Sequence, residues 1–170
     1  MKSLVIYFSH DGWNSINGEI QYISKGKTHI LAERIAALSN SDIYRLLPET
    51  EYSMDYEECL KRAKMENDNN ILPKIANPIY SLSEYDVIYL GFPNWYRSYP
   101  RIIGTFITNN NLEGKVIKPF CTNEEGAFGI GELELRGALA PKKAILKDGL
   151  AVRGSEVEIS DDKIIRWLNK

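Results

Sequence analysis

The 170-residue sequence has only two cysteines, only two histidines and no excess of basic residues. Cys59 and Cys121 are too few and too far apart to indicate a disulfide framework or a zinc site. The 21 basic and 23 acidic side chains give a formal charge of −2, which argues against a general nucleic-acid binder and against binding to anionic membranes. No apolar run approaches the roughly 18 residues that span a bilayer, and the N-terminus lacks a signal-peptide pattern. We therefore expect a cytoplasmic location, with no nucleic-acid or membrane partner.

The remaining composition is that of an ordinary folded protein, with 44% hydrophobic and 26% charged residues. At roughly 150 residues per domain, the length predicts a single domain over 1–170. No repeat or low-complexity segment divides the chain. One long polar segment, 10–25, precedes the first predicted helix. Within it, Asn17-Gly18 lies between apolar residues and predicts a tight hairpin.

Apolar runs typical of buried parallel strands alternate with helical patterns along the chain. The predicted strands cover 4–8, 42–47, 87–90, 116–120 and a broken last strand at 144–146 and 150–152. The predicted helices cover 27–38, 55–66, the segment after Pro100, 131–139 and the segment after Ser160. This alternation predicts an α/β fold with a five-stranded parallel sheet covered by helices on both faces, a three-layer α-β-α sandwich.

Four residues carry local signals at element ends. Asp55 and Ser160 are placed to cap the helices that follow them. Gly91 is expected to end its strand. Pro119 removes a hydrogen-bond donor from its strand, which predicts a bulge or a strand end there.

Ligands of parallel sheets bind beyond the carboxyl ends of the strands, so the loops after Phe8, Gly91 and Phe120 are the informative ones. The first loop ends in Lys25-Gly26-Lys27-Thr28 at a helix start, where free backbone N–H groups and the helix dipole favour an anion. The hydroxyls of Ser9 and Thr28 and the charge of Lys27 then predict a phosphate site, and the alternative is a capped helix with Lys27 in solvent. A nucleotide-triphosphatase loop is disfavoured, because Gln21 replaces its first glycine.

The second loop, 91–100, contains Trp95, Tyr96 and Tyr99, and rings of this size are costly to expose. They either contact a flat ligand or pack on a neighbouring loop or a dimer partner. The third loop, 121–129, has glycines that allow the backbone to approach a ligand closely. Together the three loops predict a ligand with a phosphate tail and a flat ring.

The residues at these loops resemble the flavodoxin-like family over essentially the whole chain. The matching segments are Tyr7-Phe8-Ser9, Gly26-Lys27-Thr28, Gly91-Phe92-Pro93-Asn94-Trp95-Tyr96, Pro119-Phe120-Cys121-Thr122 and Gly149-Leu150-Ala151-Val152-Arg153-Gly154. The resemblance implies the strand order 2-1-3-4-5 and non-covalently bound FMN at the point where that order reverses.

The resemblance also implies the contacts that FMN would make. Trp95 would stack on the isoalloxazine ring with Tyr96 beside it, while the first loop holds the phosphate. The candidate cofactor-binding residues are Ser9, His10, Gly26, Lys27, Thr28, His29, Pro93, Asn94, Trp95, Tyr96, Arg97, Thr122, Asn123, Glu124 and Gly126. No residue set indicates a catalytic triad or a metal site.

The chain departs from the family pattern at the long 10–25 loop, at Lys27, at Arg97-Ser98 and at Asn123-Glu124-Glu125. Three functions therefore stay open: an FMN electron-transfer protein, an NAD(P)H-dependent FMN quinone reductase, and a flavin-free binding domain of the same fold. The expected partner is a redox protein or a small acceptor such as a quinone, with the chain a monomer or homodimer. A carboxylate near a flavin would lower its potential and Arg97 would raise it, or would receive an anionic substrate.

Overall fold

The computed structural model describes all 170 residues. Five α-helices are present: α1 Lys27–Ser39, α2 Tyr56–Asn69, α3 Arg101–Asn109, α4 Gly131–Leu139 and α5 Asp161–Leu168. The main sheet contains β1 Ser3–Tyr7, β4 Asp42–Arg45, β5 Val87–Pro93, β6 Val116–Asn123, β7 Ile145–Leu146 and β8 Leu150–Arg153. A separate antiparallel hairpin consists of β2 Gly12–Ile16 and β3 Glu19–Ile23. No helix of the protein has the length and apolar character needed to cross a membrane.

The main sheet is parallel and runs in the order β4-β1-β5-β6, with β7 and β8 following one another along the free edge of β6. The fifth position of the sheet is therefore filled by two short strands. The predicted α/β class, the strand order 2-1-3-4-5 and the broken last strand are confirmed.

Both faces of the sheet are buried, because successive side chains of β1 point to opposite sides. Leu4 and Ile6 belong to a core that also contains buried residues of α2, α3 and α4. Val5 and Tyr7 belong to a second core, formed with buried residues of α1 and α5. The helices thus cover both faces, which gives the three layers that the alternating pattern predicts.

The prediction that the strand at 87–90 ends at Gly91 is wrong. Gly91 pairs with Tyr7 on one side and Phe120 on the other, and β5 continues to Pro93. A Cβ at position 91 would lie 2.0 Å from Cζ of Phe120, a side chain that is fully buried. Glycine is therefore needed here for close packing against a neighbouring ring, and the ladder itself is not interrupted.

The expected bulge or strand end at Pro119 is also wrong, since Pro119 pairs in register with Leu90 and β6 runs on to Asn123. The N–H of Lys147 donates to the carbonyl of Ile117 at 2.9 Å, so Ile117 faces the edge occupied by β7. Residues two apart in a strand direct their backbone groups to the same side. The proline nitrogen therefore faces the break between β7 and β8, where no acceptor needs a donor.

Of the remaining local signals, those at Asp55 and Asn17-Gly18 are confirmed and the one at Ser160 is wrong. Asp55 accepts a hydrogen bond from the N–H of Glu58 at 3.0 Å, which confirms the predicted cap of α2. Asn17 and Gly18 both have positive φ, 54° and 80°, as a two-residue hairpin turn requires. Ser160 precedes α5, but its hydroxyl donates to the carbonyl of Val157 at 2.8 Å and caps nothing.

Gly91→Ala is expected to lower the free energy of unfolding by about 1–3 kcal/mol, the usual cost of overpacking a core. The same substitution at Gly137, in α4, meets no atom within 4 Å, so it is expected to raise that free energy by up to about 1 kcal/mol. Denaturant titration measures both. Combining Gly91→Ala with Phe120→Leu should cost less than the sum of the two single changes. Strictly additive losses would place the clash elsewhere.

Candidate functional site

A cavity of about 340 Å³ lies beyond the carboxyl ends of β1, β5 and β6. Its volume is in the range of small-molecule and cofactor pockets, about 300–1,000 Å³. The structure brings to its lining the predicted residues Ser9, His10, Lys27, Thr28, Pro93, Asn94, Trp95, Tyr96, Arg97, Thr122, Asn123 and Glu124. Three predicted residues, Gly26, His29 and Gly126, do not line it.

The N-terminus of α1 opens onto the cavity with two unused donors. The N–H of Gly26 donates to the Asp11 carboxylate at 2.8 Å, and the N–H of His29 donates to the Ser9 hydroxyl oxygen at 3.1 Å. The N–H groups of Lys27 and Thr28 have no acceptor in the protein. With the positive end of the helix dipole, these two groups form a site suited to an anion.

The hydroxyls at this site are arranged to donate as well. The hydroxyl oxygens of Thr28 and Thr122 lie 2.7 Å apart and both side chains are buried. One hydrogen joins the two oxygens, so the other can be donated to a ligand. The hydroxyl of Ser9 accepts from His29 and likewise retains its hydrogen.

The positive charge predicted for this site is neutralised in the structure. The Nζ of Lys27 lies 2.9 Å from the Glu158 carboxylate, and the stem of Lys27 passes over Gly154, where an added Cβ would lie 3.4 Å from Cγ. Lys27 therefore lines the cavity with its stem while its ammonium is paired. The donors that remain for an anion are uncharged.

His29 and Gly26 lie outside the cavity lining and contact the first loop. The ring of His29 lies between Arg45, 3.4 Å from Nδ1, and Glu33, 3.2 Å from Nε2. Burial and the nearby Arg45 lower the pKa of His29 against the opposing effect of Glu33, so the ring is uncharged at neutral pH. At Gly26 a Cβ would lie 2.2 Å from the Ser9 hydroxyl oxygen, so only glycine lets the two loop ends meet.

Trp95 is partly buried and is held by the edges of other rings. Its ring centroid lies 5.4 Å from that of Phe8, 5.0 Å from that of Tyr52 and 6.0 Å from that of His10, with steep angles between the ring planes. His10 is itself buried and its Nε2 bonds to the carbonyl of Ser53 at 2.8 Å. The ring of Trp95 is thus fixed in the wall of the cavity.

Tyr96 and Arg97 form a tight turn with an unusual backbone. Trp95 and Ser98 exchange two hydrogen bonds, of 2.9 and 3.0 Å, and the two residues between them have φ of 51° and 64°. Positive φ at both central positions is usually supplied by Asn or Gly. The carbonyl of Arg97 also accepts from the N–H of Ile130 at 2.8 Å. Two bulky residues are therefore held in a strained conformation at the cavity mouth.

The third loop contributes backbone groups and the carboxylates of Glu124 and Glu125 to the cavity lining. The N–H of Asn94 donates to the carbonyl of Thr122 at 2.9 Å, which ties the second loop to the third. The carboxylate of Glu124 accepts a hydrogen bond from the N–H of Asn17 at the hairpin tip. Glu125 is exposed. Gly126, with φ of 69°, turns the loop behind the lining.

Several lining residues were not predicted. They come from the hairpin, from α2 and from the loops around the mouth: Asn14, Ser15, Ile16, Tyr56, Leu60, Glu125, Gly129 and Gly154. The Asn17-Gly18 signal predicts the hairpin, but nothing local shows that β2 folds back over the cavity. The apolar face of α2 includes Tyr56 and Leu60 and was a usable signal, because that face must be covered.

A sequence model of the flavodoxin family matches residues 19–170. The chain belongs to the flavodoxin family. No curated protein matches the sequence.

Solved structures agree with this membership. A candidate flavoprotein from Bacteroides uniformis is 28% identical, with a TM-score of 0.78 over 99% of this chain and 98% of that one. A flavoprotein in complex with FMN from Lactobacillus acidophilus is 19% identical, with a TM-score of 0.68 over 93% and 97%. The apo form of an NADH:FMN oxidoreductase is 17% identical, with a TM-score of 0.54 over 99% and 85%. The last two show a shared fold, that of flavodoxin-like flavoproteins.

Arg97→Gly is expected to raise the free energy of unfolding of this flavodoxin-family protein by about 0.5–1 kcal/mol, because glycine adopts positive φ without the steric cost that a Cβ brings. Arg97→Gln keeps the Cβ and is expected to change stability little. Urea unfolding of both variants measures the difference. Equal stabilities for the two would show that the turn carries no strain.

Proposed function

We propose that this protein binds FMN in the cavity and transfers electrons through it. The observation that carries the proposal is the pair of unused N–H groups at Lys27 and Thr28, which face the same cavity as the fixed ring of Trp95. A single ligand could occupy the whole cavity if its anionic group bound the helix N-terminus and its flat ring contacted Trp95 in the second loop. Family membership and the FMN-bound structural relative support the choice of FMN.

FMN would supply the one- and two-electron chemistry, and the protein would bind and orient it. The phosphate would be held by the N–H groups of Lys27 and Thr28 and by the hydroxyls of Ser9 and Thr28. Trp95 would contact the isoalloxazine ring. The backbone of Asn94 and Asn123 would lie along the ring edge.

A second candidate function is an NAD(P)H-dependent FMN quinone reductase. It is favoured by the exposed mouth at Tyr96 and Arg97, which leaves room for a small acceptor, and by the fold shared with an NADH:FMN oxidoreductase. A flavin-free role is less well supported, since the unused donors at α1 would then have no ligand. Rapid bleaching of the flavin by NADPH alone would select the reductase.

The purified protein is expected to bind FMN with flavin absorbance bands, and Thr28→Val is expected to weaken FMN by about tenfold or more. A hydrogen bond to a charged group contributes about 1.5–3 kcal/mol, and riboflavin, which has no phosphate, should change by less than about twofold. Fluorescence titration of apoprotein with each flavin measures both constants.

Thr105→Val is the matched control for this experiment. It also removes a buried hydroxyl, one that donates to the carbonyl of Pro73 at 2.7 Å, but Thr105 is not part of the lining. Both flavins should bind this variant as they bind the parent. Equal losses of FMN and riboflavin in Thr28→Val would refute a phosphate at α1, and absence of any flavin binding would refute the proposal.

Glu158→Gln is expected to strengthen FMN binding by about threefold at low salt, with riboflavin unchanged. The substitution releases the ammonium of Lys27 from its ion pair, and a freed cation beside the helix N-terminus attracts the phosphate. Glu156→Gln makes the same charge change at an exposed side chain without an ion pair, so it controls for net charge. Equal gains in both variants would show that Lys27 does not reach the phosphate.

A further inference from the structure

Two of the four charged side chains in the cavity lining, Lys27 and Glu124, have partners within the protein. Lys27 is paired with Glu158, and Glu124 accepts from the backbone of Asn17. Arg97 is the cation of the lining whose side chain has neither an ion pair nor a hydrogen bond, and its counterpart Glu125 is likewise unpaired. In a molecule with a net charge of −2, an unpaired guanidinium at the mouth is a local attraction for anions.

The turn fixes the direction in which Arg97 leaves the backbone. Two hydrogen bonds between Trp95 and Ser98 close the turn, and the N–H of Ile130 holds the carbonyl of Arg97. Opposite this carbonyl stands Gly129, where a Cβ would lie 2.5 Å from the Arg97 oxygen. These contacts hold Arg97 at its positive φ. Backbone strain of this kind is concentrated at functional sites.

Tyr96, the residue before Arg97, presents a flat ring at the cavity mouth. The residue is 40% exposed, and its hydroxyl donates to the carbonyl of Leu60 in α2 at 3.1 Å. The tether keeps the ring from rotating into solvent. A tethered ring and a cation on adjacent residues of a turn with a fixed backbone match a flat aromatic molecule that carries a carboxylate or a sulfonate.

We propose that Tyr96 and Arg97 form a subsite for small aromatic anions and that anionic quinones are the acceptor class of this protein. The acceptor's ring would lie on Tyr96 and its anionic group would bind Arg97. The redox part rests on the proposed function: reduced FMN loses two electrons and two protons, and the quinone gains both to become the hydroquinone. The binding part depends on the protein's own residues alone.

The test measures binding to the oxidised protein, with and without FMN, by quenching of tryptophan fluorescence. The probes are anthraquinone-2-sulfonate and its neutral analogue 2-hydroxymethylanthraquinone. Arg97→Gln is expected to weaken the sulfonate by about five- to tenfold at low salt and to leave the neutral probe unchanged. Arg97→Lys should restore part of the loss, and Tyr96→Leu should weaken both probes.

Arg136→Gln is the matched control, since Arg136 is exposed on α4, has no ion pair and lies outside the cavity lining. It should leave both probes unchanged. Unchanged sulfonate binding in Arg97→Gln, or equal losses for the two probes, would overturn the subsite. Flavin absorbance is measured separately, so failure to bind FMN would overturn the proposed function while the titration of FMN-free protein still decides the subsite.

Discussion

The position of the cavity depends on the close pairing of β5 with its neighbours β1 and β6. Gly91 lies between Tyr7 and Phe120 in one register, and the ring of Phe120 occupies the space that a side chain at position 91 would need. This register makes the three strands end at nearby levels. The loops that follow Tyr7, Pro93 and Asn123 consequently meet at one place, and the N-terminus of α1 faces them.

The anion site at that place is built from uncharged donors. Three charged groups near the start of α1 are paired inside the protein: Asp11 with Arg45, Lys27 with Glu158, and Glu33 with Lys25. Backbone N–H groups fixed by a helix cannot turn away from a ligand, whereas a lysine ammonium can. The helix therefore sets the geometry of the anion site. The net charge at the site depends on which of these ion pairs stay formed.

The second loop differs from the first in its backbone, because it holds the bulky residues Tyr96 and Arg97 at positive φ, a conformation suited to glycine. The strain at Tyr96 and Arg97 is offset by the hydrogen bonds around the turn and by the packing of Trp95 against three other rings. A partly buried ion pair between Arg101 and Glu134 also bonds the hydroxyl of Ser98 and fixes the end of the turn. Rigidity at the cavity mouth is thus obtained from contacts that span α3, α4 and the loop.

The sequence by itself determined the alternation of strands and helices, the hairpin turn at Asn17-Gly18 and the cap at Asp55, because these depend on neighbouring residues and on backbone preferences. It also indicated which three loops meet, since parallel strands have their carboxyl ends at one edge. Only the tertiary structure decided that Lys27 pairs with Glu158, 131 positions away, that β2 lines the cavity, and that Pro119 faces a gap between two short strands. Such contacts join distant segments of the chain, so the residues that neighbour each position in the sequence do not determine what packs against it in the fold.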